Sequence, residues 1–113
     1  PCNMPSILFD AGSSVVKQSY YNEAFQVAKY MIDNPSVSMA VVAHPESASA
    51  AAASLARKRA QATINFLVGN FGVNKGRFNI EMGGISAGFG VSTKNPKNDA
   101  LNSMNRRVDF ECR

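Results

Sequence analysis

Leu55-Ala56-Arg57-Lys58-Arg59-Ala60 and Asn105-Arg106-Arg107-Val108-Asp109 decide how this chain reads. The first segment sets basic side chains early in an otherwise apolar helix. The second sets paired arginines at the start of a strand. Two such cationic segments, distant in sequence, can converge on one anionic group. Arginine suits a carboxylate because its planar fork makes two parallel, charge-assisted hydrogen bonds. Side chains alternate along a strand, so Arg106 and Arg107 face opposite sides and at most one of them enters a shared pocket.

Around these segments the chain alternates strands and helices. Ser6 to Phe9 is a short apolar run closed by Asp10-Ala11-Gly12-Ser13, which predicts a buried strand and a turn. A helix is expected from about Ser19 to Asp33, with Tyr21, Phe25, Ala28 and Ile32 as its apolar stripe and Ala24 and Met31 beside them. Pro35 stops it. Val37 to Ala43 is almost unbroken in its apolarity and predicts a central strand. The alanine-rich tract Ser47 to Ser54 is compatible with loop, helix or both. The following helix runs to about Phe71, with Leu55, Ala60, Ile64, Leu67 and Phe71 on its buried side and Gly72 at the stop. Phe78, Ile80 and Met82 alternate within a third strand from Arg77 to Met82. Gly83 to Met104 is the longest irregular segment, rich in Gly, Ser, Asn and Lys, and long loops of this kind often carry function. A last strand, Arg107 to Cys112, places Val108 and Phe110 on one face and Asp109 and Glu111 on the other. The expected class is α/β, a two-layer βαβαββ sandwich with both helices on one face of a small mixed sheet.

With 113 residues, 45% of them hydrophobic, the chain has the size of one domain with its own core. The net charge of +4 suggests an anionic partner or simple solubility without choosing between them. The sequence has no apolar run of about eighteen residues and no basic-then-apolar leader, so neither a spanning helix nor an export signal is expected within it. Nucleic-acid binding is not expected, because the aromatic residues fall at core positions, Gly88-Phe89-Gly90 excepted, instead of lining a basic groove. Hydrolysis is not expected either, for want of a Gly-x-Ser-x-Gly elbow or paired catalytic carboxylates. Cys2, Cys112 and His44 lack the spacing of a metal site, and no cofactor is implied.

Leu-x-x-x-Arg-Ala opening a helix and Asn-Arg-Arg-Val-Asp opening the last strand resemble the OmpA-like domain, which anchors bacterial outer membranes or motor stators to peptidoglycan. Ile7-Leu8-Phe9-Asp10, Met39 to His44 and Phe71-Gly72-Val73 through Arg77 match it in order, so the resemblance covers Ser6 to Cys112. It implies a non-catalytic, periplasmic binding domain, residues 1–113, forming the C-terminal part of a longer envelope protein. The implied ligand is the diaminopimelate of the peptidoglycan stem peptide, a zwitterion that needs an acidic side chain beside an arginine. Arg59 falls on the family's helix arginine. Glu46 stands where the family's aspartate follows the second strand, within Ala43-His44-Pro45-Glu46 in place of Gly-His-Thr-Asp. His44, Asn105, Arg106 and Arg107 complete the implied ligand set, while Asp10 is assigned to turn capping. The resemblance also makes the first and last strands antiparallel neighbours, which would bring Cys2 beside Cys112 for a disulfide of the kind that persists in the periplasm. The family's aspartate, following glycine and asparagine are all missing here. That absence defines the alternative, a scaffold that binds an envelope protein or a second copy of itself.

Overall fold

A computed structural model describes residues 2–85 and 103–113. Most of the expected loop between Gly83 and Met104, including Gly88-Phe89-Gly90, lies outside the described residues. Six main elements follow in order: β1 (Ile7–Leu8), α1 (Tyr21–Asp33), β2 (Met39–Ala43), α2 (Ala50–Phe71), β3 (Phe78–Met82) and β4 (Arg107–Cys112). The sheet order is β1-β4-β2-β3. β4 runs antiparallel to both its neighbours, while β2 and β3 are parallel and joined through α2. This is the expected βαβαββ arrangement, with the last strand inserted between the first two.

All five residues of β2 are buried, as its unbroken apolarity predicts for a central strand. Met39, Val41 and Ala43 join Ile7, Phe9, Val108 and Phe110 in the core beneath the helices. Ala40 and Val42 alternate to the other face, in register with Glu111 and Asp109 of β4. This alternation sorts the polar residues described below into two groups.

The face expected on α1 is buried at Ala24, Ala28 and Met31 and displaced at its large residues. Ala24, Val27, Ala28 and Met31 are its buried residues. Tyr21, Phe25 and Ile32 are 43%, 51% and 56% exposed. The small residues let the helix approach the sheet, and the large rings are left at the rim between the helices. There Tyr21 lies 4.8 Å from Phe66, centroid to centroid, and Phe25 lies 5.8 Å from Phe71. On α2 the buried residues are Ala56, Arg59, Ala60, Thr63, Ile64 and Leu67, whereas Leu55 and Phe71 are half-buried. The Ser47–Ser54 tract divides: Ser49 caps α2 by accepting a hydrogen bond from the Ala52 amide at 3.0 Å, and the alanines after it form the first turn. Gly72 ends the helix at φ 70°. β3 begins at Phe78, one residue later than expected. Arg77 instead donates to the carbonyls of Asn34 and Val37, fastening the α1–β2 connection.

Cys2 and Cys112 form a disulfide with Cα atoms 6.2 Å apart. Antiparallel pairing of β1 with β4 puts the start of one beside the end of the other. The bond closes a loop spanning a sequence separation of 110. In the chain-entropy treatment, reduction lowers stability by up to about 4–5 kcal/mol. Urea unfolding with and without reductant is expected to show a lower midpoint for the reduced domain; coincident curves would contradict a stabilising role.

Candidate functional site

The turn Asp10–Ser13 is closed by a hydrogen bond from the Ser13 amide to the Asp10 carbonyl, with Gly12 in the left-handed region at φ 68°. The carbonyls of Asp10 and Ser13 both accept from Arg59. Its Nε donates to Ser13 at 2.8 Å and its Nη2 to Asp10 at 3.1 Å. Nη1 meets the Glu46 carboxylate at 3.1 Å. The guanidinium also lies 5.6 Å from the centroid of the Phe9 ring. The Arg59 side chain is 2% exposed, against 27% for that of Glu46, so a buried cation is paired with an anion that reaches water. Burial lowers the Arg59 pKa, the Glu46 hydrogen bond and charge oppose that shift, and nearby Arg106 adds to it.

Arg106 is buried, and its Nε donates to the Phe9 carbonyl at 2.8 Å. Phe9 returns a backbone hydrogen bond to the Arg106 carbonyl, also at 2.8 Å. Arg59 and Arg106 thus hold successive carbonyls at the end of β1. Asn105 is fully buried immediately before Arg106. The Asp10 carboxylate pairs with Lys17 at 3.0 Å; its backbone carbonyl, not its side chain, closes the turn, which corrects the expected capping role.

The other expected residues gather on the opposite sheet face. Strand alternation carries His44 to the side of Val42, and Arg107 to the side of Asp109. Asp109 Oδ2 receives His44 Nε2 at 2.9 Å and Arg107 Nε at 3.1 Å, while its Oδ1 accepts from the Ser6 hydroxyl. Arg107 Nη1 also donates to the Met104 carbonyl at 3.0 Å. Burial alone would raise the Asp109 pKa, but the Ser6 and Arg107 hydrogen bonds and the charges of Arg107 and His44 outweigh it, so the carboxyl lies below the ordinary aspartate value. The six residues expected around one ligand therefore do not meet at one point. Arg59, Glu46 and Arg106 gather at the end of β1, His44 and Arg107 stand around Asp109, and Asn105 is buried directly before Arg106 in the chain. Pairing of the two arginines with opposite faces agrees with the alternation. The carbonyls of Phe9, Asp10 and Ser13 were not singled out from the sequence, because backbone acceptors leave no residue-type signal, and neither was the Ser6 hydroxyl, which belongs to no motif.

No protein-family model matches the chain. In an alignment of 109 residues that covers 93% of the chain, it is 32% identical to outer membrane porin F of Pseudomonas aeruginosa, and it spans 29% of that protein. The peptidoglycan-associated lipoprotein from Burkholderia pseudomallei superposes with a TM-score of 0.71 at 22% identity, covering 96% of this chain and 89% of that one. The OmpA-like domain of FopA1 from Francisella tularensis subsp. tularensis SCHU S4 gives 0.68 at 15% identity, covering 95% and 70%. The chain has the fold of the OmpA-like domains, as its sequence motifs imply. No helix among the described residues is long and apolar enough to cross a membrane.

Two outcomes follow from this geometry. Arg59→Met removes the donor shared by Asp10, Ser13 and Glu46, and is expected to destabilise the domain by roughly 2–4 kcal/mol in chemical denaturation. Asp109 has a depressed carboxyl pKa, so its contribution is present above the unfolded aspartate value of about 3.9 and is lost as pH falls through the lower folded value. Between neutral and acidic pH, the urea midpoint of Asp109→Asn is expected to fall less than that of the wild type. An equal or greater fall would contradict the assignment.

Proposed function

We propose that residues 1–113 form a non-catalytic peptidoglycan-binding domain of a longer envelope protein, working in the periplasm to tether an outer-membrane protein or lipoprotein to the cell wall. The fold it shares with a protein named as peptidoglycan-associated supports this reading. The observation that carries it is the Arg59–Glu46 pair at 3.1 Å, with the cation buried and the anion half-open to water. Breaking such a pair leaves an uncompensated buried charge, so a ligand that opens it must replace both halves. A zwitterion does so. Its carboxylate takes the place of Glu46 on the Arg59 fork while its ammonium takes the freed Glu46 carboxylate. The diaminopimelate of a stem peptide has this chemistry. Arg106 stands close to Arg59, while Arg107 and His44 lie around Asp109 on the other sheet face, away from this pair.

Catalysis is not part of the proposal. Ser6 and His44 both bond Asp109, so the hydroxyl meets the carboxylate instead of the imidazole that would have to activate it. A second reading, an assembly scaffold for an envelope protein or a second copy, is favoured by the exposed Tyr21, Phe25 and Ile32 along α1.

Titration calorimetry with a diaminopimelate muropeptide is expected to show saturable binding by the oxidised domain. Amidation of the diaminopimelate carboxyl, Arg59→Ala and Glu46→Gln should each weaken it at least about tenfold. No binding by folded, oxidised wild type overturns the peptidoglycan reading in favour of the scaffold.

A further inference from the structure

Of the acceptors that hold Arg59 among the described residues, two are fixed and one is free to turn. The carbonyls of Ser13 and Asp10, at 2.8 and 3.1 Å, belong to a turn closed by its own hydrogen bond, from the Ser13 amide to the Asp10 carbonyl. Neither can leave Nε or Nη2 without reshaping the exit of β1. The ring of Phe9 lies 5.6 Å from the same guanidinium. Glu46 differs from these: it reaches Nη1 at 3.1 Å through a side chain of rotatable bonds that is 27% exposed. Rotation of that side chain releases the acid to water, while the two carbonyls keep the cation in place. Glu46 is also the only carboxylate among the described residues within ion-pairing distance of Arg59, since that of Asp10 is taken by Lys17 at 3.0 Å.

Arg59 itself is 2% exposed. Its acceptors take one N–H on each of Nε, Nη1 and Nη2, and the second N–H of each terminal nitrogen lies within the same buried side chain. A ligand carboxylate therefore reaches the fork only by taking the place of Glu46. For a plain carboxylate that exchange is like for like: one charge-assisted hydrogen bond forms and an equivalent one breaks. The incoming molecule also loses its translational freedom, so the exchange runs against it. A ligand that carries an ammonium beside its carboxylate gains a second bond, to the acid that it has displaced.

Resting on the ligand reading above, we propose that Glu46 is the specificity-determining residue of the site: by occupying Arg59 in the unliganded domain it is an internal competitor that turns away simple carboxylates, and by accepting an ammonium once displaced it admits zwitterions. The apparent affinity of any carboxylate is lowered by the fraction of domain in which Glu46 has left Arg59. Only a ligand with a partner for the released acid recovers that loss. Selectivity then comes from a repulsive element as well as an attractive one. An acid that stood open and merely met the ammonium would lack the first half, adding affinity for zwitterions and leaving simple carboxylates unaffected.

Two forms of one diaminopimelate muropeptide test this: the parent, and its derivative acetylated at the diaminopimelate amine, which keeps the carboxylate and lacks the ammonium. Calorimetry on the oxidised domain is expected to show the acetylated form binding at least about tenfold more weakly than the parent. In Glu46→Ala the two forms should bind alike, and the acetylated form should bind at least about threefold more tightly than it does to wild type. An acid that only attracts gives no such gain. Where the parent binds wild type, unchanged or weaker binding of the acetylated form by the variant overturns the proposal. Glu46→Gln, which keeps an oxygen for Nη1 and lacks the charge, carries the same comparison if the alanine variant does not fold. A second readout needs no muropeptide. Sodium propionate, a plain carboxylate, should raise the thermal midpoint of Glu46→Ala beyond the effect of equimolar sodium chloride, and should leave wild type level with chloride. Equal effects of propionate on both proteins overturn the competitor role. If propionate stabilises the variant but neither muropeptide form binds either protein, the ligand reading falls and the selectivity with it, while the carboxylate site that Glu46 occupies on Arg59 stands.

Discussion

A single buried guanidinium organises the end of this domain where the proposed site lies. Arg59 is 2% exposed, projects from α2 toward the β1 turn, and donates to Ser13, Asp10 and Glu46 at once. Removing a cation from water is costly, and three acceptors around one planar fork compensate for that cost here. Two of the three are backbone carbonyls, so the arginine fixes a turn as well as pairing with an acid. Arg106, one carbonyl earlier on Phe9, extends the same device. The strand carrying these carbonyls is only two residues long, and without the two arginines its exit would have little to define it.

Insertion of β4 between β1 and β2 has a second effect. Because one strand borders both, its alternating side chains meet residues from each on either face. Toward the helices it supplies Val108 and Phe110 to the core. On the other face Asp109 gathers Ser6, His44 and Arg107. The acid loop leaves β2 at His44 and then crosses toward α2, so it is held at one end on one side of the sheet and ends in an ion pair on the other. The two polar groups are separate in space yet joined through two residues of chain.

The architecture was legible because several local signals agreed: the apolar run of β2, the stop at Gly72 and the alternation of β4 all stand where the pattern puts them. Arg59 and Glu46 were legible as a pair through motif position. The buried face of α1 was legible in part: Ala24, Ala28 and Met31 were expected on it and are buried, whereas hydrophobicity also favours Tyr21, Phe25 and Ile32, which close packing leaves exposed. Burial of Arg59 among apolar neighbours was equally hidden, since its partners are carbonyls contributed by a turn 46 and 49 positions away in sequence. The division of His44 from Arg59 could have been read by continuing the β2 alternation one residue past Ala43. Motif adjacency concealed it.

The disulfide also determines how the domain takes load. A pull applied ahead of Cys2 would, without the bond, peel a two-residue edge strand from the sheet one hydrogen bond at a time. With Cys2 joined to Cys112, tension passes covalently into the far end of β4, which is paired with β2 from Cys112 back to Val108. Rupture then requires shearing a central strand past its neighbours, a mode that loads many hydrogen bonds together.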